Sequence, residues 1–160
     1  MNSHSGSPPA HACACPCGQT RFAAQSRPFA RIYCHCLICQ QLYRKPFADV
    51  CILWARSLEM PADADTRVAR YRRWPALDRA VCVHCELPVL GVFRLGPLRT
   101  LAFVPSANFE HAAELPKPAA HLFYHRRAAD HNDDLPKYHS YWRSEFGVGM
   151  AIARGLTGGG

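Results

Sequence analysis

The stretch Cys34-His35-Cys36-Leu37-Ile38-Cys39 places three cysteines within six residues. Two cysteine pairs flank it, Cys15-Pro16-Cys17 upstream and Cys82-Val83-His84-Cys85 downstream. Zinc prefers four thiolate or imidazole ligands, with each sulfur at about 2.3 Å. The two outer pairs can supply four ligands, whereas the central stretch supplies three and leaves one coordination position open. The sequence therefore predicts one closed, structural zinc site and one open site that could support catalysis.

The spacing of the outer cysteines supports this division. Residues i and i+2 of a strand point to the same face, so Cys15 and Cys17 can direct two sulfurs at one ion. Cys82 and Cys85 have the two-residue gap of a knuckle turn. A long stretch of chain separates the two pairs. A shared ion would tie the N-terminal edge to the middle of the fold, and the metal-free protein should be loose.

Two further cysteines, Cys13 and Cys51, lie outside these groups. Cys51 falls in an apolar run and is expected to be a small buried hydrophobic residue. Cys13 is not part of the proposed ligand sets, but it could complete the central site and close it, or it could replace Cys15 in the outer site. His35 and His84 stand between ligand positions, where the backbone turns a side chain away from the ion. We expect both to be surface residues or to support the ligands.

Length and charge set broad limits. The chain has 160 residues, which suits a single domain whose core gains from metal binding. Its net charge of +7 comes mainly from arginines that are spread along the chain. This distribution favours a solvated surface, or the lining of a site for an anionic small molecule, over a nucleic-acid interface.

The sequence also bears on location. The ten N-terminal residues are polar, without the apolar centre of a signal peptide. The apolar run Leu98–Pro105 is interrupted by Arg99 and is too short to cross a membrane. We therefore expect a cytoplasmic protein without a membrane partner. In that reducing compartment, clustered cysteines bind metals more often than they form disulfides.

Short β-friendly segments, separated by proline, glycine and aspartate, predict an all-β fold with sheets held together by metal. The strands are expected at Thr20–Ala24, Phe29–Tyr33, Asp49–Trp54, Val68–Tyr71, Ala80–Val83, Val89–Arg94, Thr100–Val104 and His121–His125. One or two short helices, broken near Gly147 and Gly149, are expected between Tyr138 and Arg154. Residues 1–10 are expected to be a disordered tail, residues 11–142 the zinc-binding domain, and residues 143–160 a partly flexible C-terminal extension.

The ordered cysteine motifs, beginning with Cys15-Pro16-Cys17-Gly18-Gln19-Thr20-Arg21-Phe22, resemble the glutathione-dependent formaldehyde-activating enzyme family, whose domain is shared with centromere protein V. The resemblance continues through Pro46-Phe47 and Pro88 to His121-Leu122-Phe123 and Asp133-Asp134-Leu135-Pro136-Lys137-Tyr138. It implies an Mss4-like all-β fold with two zinc ions. The implied ligands are Cys15, Cys17, Cys82 and Cys85 for the structural ion, and Cys34, Cys36 and Cys39 for the catalytic one.

The resemblance further implies a carbon–sulfur lyase that adds a glutathione-type thiol to formaldehyde or a related small aldehyde, giving S-hydroxymethylglutathione. Coordination would deprotonate the thiol, which is mostly protonated when free. His35 and Tyr43 are candidate proton donors because they are near the central cysteines. The alternative is a zinc-stabilised binding module of the same family without catalysis.

Three features depart from the family pattern. Glu86 stands where a glycine usually follows the last cysteine pair, and bulky Tyr43 and Arg44 lie in a segment that is usually small. The tryptophan often found before the closing motif is missing. Bulky side chains beside the open zinc would reshape or fill a glutathione pocket. We therefore expect metal binding to be kept and the substrate pocket to differ.

Overall fold

The computed structural model describes residues 11–71, 73, 77–95 and 99–158. The described residues form ten strands and two α-helices, together with short 3-10 turns. The strands are β1 (His11–Ala14), β2 (Arg21–Ala24), β3 (Ala30–Cys34), β4 (Ala48–Trp54), β5 (Leu58–Glu59), β6 (Thr66–Arg70), β7 (Leu77–Cys82), β8 (Pro88–Leu95), β9 (Arg99–Pro105) and β10 (His121–Leu122), and the helices are α1 (Leu37–Tyr43) and α2 (Tyr141–Thr157). The predicted all-β class is confirmed. The expected N-terminal tail, residues 1–10, lies outside the described residues.

The strands form two sheets. The small sheet has the order β1-β2-β5, and the large sheet has the order β10-β3-β4-β9-β8-β7-β6. Neighbouring strands pair antiparallel, except that β10 runs parallel to β3. The β1–β2 turn of the small sheet and the β7–β8 turn of the large sheet carry the outer cysteine pairs. The central cysteines lie where β3 ends and α1 begins.

The core occupies both faces of the large sheet. Along β4, Cys51 and Leu53 pack in one apolar cluster, while Val50 and Ile52 pack in another. Successive residues of a strand point to opposite faces, so β4 is buried on both sides. The first cluster includes residues of β2, and the second includes Ala151 of α2. The small sheet therefore covers one face and the C-terminal helix covers the other.

Helix α2 runs without interruption through Gly147 and Gly149, so the expected break is wrong. Ser140 caps its first turn through its side-chain oxygen. A Cβ atom added at Gly147 would lie 2.6 Å from the ring of Tyr138. The glycine therefore allows close packing of the helix rather than ending it. Neither helix in the described part of the chain combines the length and hydrophobicity that a membrane crossing requires.

Other differences from the sequence prediction are local. Strands β1 and β5 and helix α1 are additional to the predicted elements. The predicted strand His121–His125 ends early, because Phe123 has a left-handed φ of 53° and a 3-10 turn follows at Tyr124–Arg126. The chain leaves the sheet edge at this point and continues into the loop that precedes α2.

Candidate metal centres

The outer cysteine pairs lie in two hairpin turns of similar local design. In the β1–β2 turn, the Gly18 N–H donates to the Cys15 carbonyl over 2.8 Å, and Gly18 has a φ of 76°. In the β7–β8 turn, the Glu86 N–H donates to the Cys82 carbonyl over 2.9 Å, and Glu86 has a φ of 58°. Each turn closes tightly around its cysteines, with the left-handed residue directly after the second one.

The four outer thiols converge although the turns are far apart in sequence. The ligand atoms of Cys15, Cys17, Cys82 and Cys85 lie within 4.8 Å of one another. Cys17 Sγ is 3.3 Å from Cys15 Sγ and 3.7 Å from Cys82 Sγ. Two sulfurs on a tetrahedral zinc ion are about 3.8 Å apart. All nine cysteines are free thiols, so no disulfide accounts for this approach. The donor set fits a closed zinc site.

Hydrogen bonds to sulfur favour the form that binds metal. The Thr20 N–H donates to Cys15 Sγ over 3.3 Å. Burial opposes ionisation of Cys82, yet hydrogen bonds from the Thr20 side chain and from the backbone N–H groups of Cys85 and His84 lower its pKa to about 6. Because the thiolate is the zinc ligand, these donors prepare the cluster for a cation.

The central cysteines occupy the junction between β3 and α1. Cys34 ends β3, Cys36 is the N-cap of α1, and Cys39 lies in the first turn of the helix. Cys36 Sγ accepts a hydrogen bond from the Cys39 N–H over 3.4 Å, so a thiol replaces the hydroxyl or carboxylate that usually caps a helix. All three residues are buried, and their sulfurs lie within 4.8 Å of one another.

Hydrogen bonding among these thiols separates their pKa values. Bonds from the Cys34 and Cys39 thiols hold the pKa of Cys36 far below its usual value. The bond with Cys36 in turn raises the pKa of Cys34. Hydrogen bonding within the group therefore favours negative charge on Cys36 over Cys34. A buried group of three thiols that hydrogen-bond to one another fits a soft metal ion.

The central sulfurs face a cavity of about 410 Å³. Strands of the large sheet and helix α2 form its walls, which are mainly apolar. Tyr43 adds a hydroxyl group and Arg79 a guanidinium. The apolar side chains include Ile32, Val50, Leu90, Phe103, Val148 and Ile152. The cavity has the size and composition of a site for a small organic ligand.

Cys13 and Cys51 belong to neither sulfur cluster in the described residues. Cys51 is fully buried with its sulfur 3.3 Å from Ser106 Oγ, which confirms its expected core position. Cys13 packs in the same apolar cluster as Cys51, and its thiol donates to the His11 carbonyl over 3.5 Å. This position places Cys13 outside both sites, so neither alternative for it holds.

The two histidines between ligand positions have different surroundings. His84 is exposed, as expected, and its Nε2 lies 3.0 Å from Asp65 Oδ2. His35 is fully buried, and its Nε2 lies 2.8 Å from His121 Nδ1. With His131 these two residues form a third group of candidate metal ligands, which the sequence does not predict. The parallel pairing of β10 with β3 brings this group together, and no local sequence pattern indicates it.

The bulky residues that depart from the family pattern also differ in position. Arg44 and Glu86 are exposed and pair with each other over 3.0 Å. Neither is among the residues that line the cavity, whereas Tyr43 is. Of these bulky residues, Tyr43 is therefore the one that borders the space beside the central cysteines.

The mainly β fold gathers free cysteines into a group of four and a group of three. This arrangement is that of a protein that could hold metal ions through thiolates. The family model for the glutathione-dependent formaldehyde-activating enzyme matches residues 10–126, and the chain belongs to this family. No curated protein matches the chain. The matched range contains both cysteine clusters and ends before His131 and α2.

Proposed function

We propose that the chain is a zinc-dependent carbon–sulfur lyase that adds a glutathione-type thiol to formaldehyde or a related small aldehyde. In this proposal Cys34, Cys36 and Cys39 hold the catalytic zinc ion, and the outer cysteine pairs hold a structural one. The main support is that the group with only three thiols lines the cavity of about 410 Å³, whereas the four outer cysteines are not among the residues that line it. Family membership favours the same reaction.

The residues of the cavity suggest which side chain donates a proton during the reaction. Zinc supplies one effect, the ionisation of a thiol that is otherwise protonated at neutral pH. Tyr43 lines the same cavity, and burial raises the pKa of its hydroxyl, so this group keeps its proton. We assign Tyr43 as donor to the alkoxide that forms when the sulfur adds to the aldehyde carbon. His35, the other candidate donor, is not among the cavity-lining residues.

The lining also bears on the choice of thiol. Glutathione carries two carboxylates and an ammonium group, and burying an uncompensated charge is costly. Among the described residues, Arg79 and Glu145 are the charged side chains of the cavity. A thiol that is apolar next to its sulfur and carries one carboxylate, placed at Arg79, fits this lining better than whole glutathione. We therefore expect such a thiol to react faster than glutathione at equal concentration.

The test measures hydroxymethyl adduct formation by NMR with zinc-loaded protein, formaldehyde and each thiol. Wild-type protein should accelerate the reaction above the uncatalysed rate, and Cys36→Ala should return it to that rate. Cys51→Ala is the matched control, because it removes a buried cysteine outside both clusters. This control should keep most of the activity.

The binding-module alternative predicts a different pattern. Wild type and Cys36→Ala would then give the same, uncatalysed rate at high protein concentration, and that result would end the lyase proposal. Tyr43→Phe separates the role of the hydroxyl from that of the ring. It should lower the rate at saturating thiol by about tenfold or more, with little change in thiol affinity.

A further inference from the structure

Three histidine side chains form a compact cluster at the end of β3, on β10 and in the loop that follows. The ring centroids of His35, His121 and His131 are 4.9 to 5.1 Å apart. One ring nitrogen from each lies within 4.8 Å of the others. None of the three lines the cavity at the central cysteines. The cluster therefore lies outside that cavity, although His35 stands between Cys34 and Cys36 in the sequence.

A hydrogen-bond chain fixes where the protons lie. Asp133 Oδ2 is 2.8 Å from His121 Nε2, and because an ionised carboxylate only accepts, that nitrogen carries the proton. His121 Nδ1 then accepts from His35 Nε2 over 2.8 Å. When neutral His35 carries its proton on Nε2, its Nδ1 has no proton. This buried Nδ1 has no hydrogen-bond partner among the described residues. The buried Nδ1 of His131 has none either.

The unpartnered Nδ1 of His131, in one cluster with the facing nitrogens His35 Nε2 and His121 Nδ1, indicates a missing ligand. A buried polar atom without a partner costs about 1–3 kcal/mol, and such atoms are rare in folded proteins. Neutral imidazole is the commonest protein ligand for transition metals. Asp133 holds His121 by Nε2, so Nδ1, which accepts from His35, is the nitrogen that could bind a cation. A carboxylate on the opposite ring nitrogen is the arrangement that orients metal-binding histidines.

Tyr124 contacts two of the three histidines. Its hydroxyl accepts from the backbone N–H of His131 over 2.7 Å, and its ring packs edge-on against His35. Two nitrogens on a tetrahedral zinc ion are about 3.3 Å apart. The bond between His35 and His121 would therefore lengthen slightly when a metal replaces its shared proton. His131 lies in a loop and can adjust to meet it.

Two cationic side chains near the cluster should repel a bound metal ion only weakly. Lys137 Nζ lies 2.8 Å from Asp133 Oδ1, and the Arg127 guanidinium pairs with Asp130. Each positive charge is therefore accompanied by a carboxylate. Three neutral imidazoles are a sufficient donor set for a divalent ion.

We propose that His35, His121 and His131 form a third metal site, for a divalent transition-metal ion that favours imidazole, with zinc as the first candidate. Three nitrogen ligands leave a fourth position for water or a small ligand. His131 and Asp133 lie beyond the residues that the family model matches. The other two ligands, His35 and His121, lie inside the matched residues, so the match covers only part of the site.

The test counts zinc per chain and identifies the ligand atoms. The full chain, with its cysteine clusters loaded, is dialysed against increasing free zinc, and its metal content is measured. Wild type should bind zinc at all three groups, whereas His131→Ala should lose only the third equivalent. His125→Ala, an exposed histidine on the same segment, is the matched control and should behave as wild type.

X-ray absorption distinguishes this site from the cysteine clusters. A nitrogen shell at about 2.0–2.1 Å should appear with the third equivalent, beside the sulfur shell at about 2.3 Å. His131→Ala should remove the nitrogen shell and leave the sulfur shell unchanged. Absence of a third equivalent in wild type, or its retention in His131→Ala, would overturn the proposal. Because sulfur and nitrogen are counted separately, the result does not depend on lyase activity.

Discussion

Glu86 has a backbone conformation that glycine adopts more readily. Its φ of 58° costs a residue with a Cβ atom about 1 kcal/mol relative to glycine. Its ion pair with Arg44 is exposed at both partners and contributes little. We therefore expect Glu86→Gly to raise the free energy of unfolding of the zinc-loaded protein by about 0.5–1 kcal/mol, measured by urea denaturation.

The variant Glu86→Ala separates the two contributions. It removes the ion pair with Arg44 but keeps a Cβ atom in the left-handed conformation, so the free energy of unfolding should change by less than about 0.5 kcal/mol. The free energy of unfolding should be higher for Glu86→Gly than for Glu86→Ala. If it were equal or lower, the backbone of this turn would not be strained.

Cys51 should make the stability of the protein sensitive to alkaline pH. Burial raises the pKa of its thiol from 9.0 to about 11. Above pH 9 the unfolded chain releases this proton while the folded chain retains it, so stability that is present below pH 9 is lost as the pH rises towards 11. Cys51→Ala lacks this effect. The difference in unfolding free energy between wild type and variant should shrink by about 1 kcal/mol from pH 8 to pH 10, and a constant difference would contradict the argument.

Helix α2 depends on two glycines in opposite ways. A Cβ atom at Gly155 would lie 1.7 Å from the Phe29 carbonyl oxygen, so Gly155→Ala must push the helix away from the sheet. We expect it to lower the free energy of unfolding by about 2 kcal/mol or more. Gly149 has no atom within 4 Å of its added Cβ, and Gly149→Ala should raise that free energy by about 1 kcal/mol. Thermal unfolding of both variants measures the contrast, and equal shifts would argue against close packing at Gly155.

The elements that the sequence predicts are those set by local patterns. Strands β3, β4, β8 and β9 lie within one residue of their expected bounds, because burial or β-friendly composition marks them. Helix α1 is missed because its N-cap is Cys36, a residue type that indicates metal binding rather than capping. The His131 cluster is missed because the pairing of β10 with β3 brings His121 beside His35, and that pairing joins distant segments.

At the scale of the whole molecule, the outer cysteines join the two sheets. Cys15 and Cys17 lie in a turn of the small sheet, and Cys82 and Cys85 lie in a turn of the large sheet. Cys17 and Cys82 are 65 residues apart in sequence, yet their sulfurs are 3.7 Å apart. An ion shared by these four thiols would close a long loop and would hold the small sheet on the core face of the large one. The central cysteines make no such link, since all three come from one short segment.

This difference predicts unequal effects of removing a ligand from each cluster. Cys82→Ala should lower the free energy of unfolding by about 3 kcal/mol or more, because loss of a structural metal releases the link between the sheets. Cys36→Ala should reduce stability by less than half as much and should abolish adduct formation. Thermal unfolding with and without a chelator measures both effects, and the chelator should destabilise wild type far more than Cys82→Ala. Equal losses of thermal stability in the two variants would mean that both clusters stabilise the fold. The assignment of the central cysteines to catalysis would then lose its structural basis.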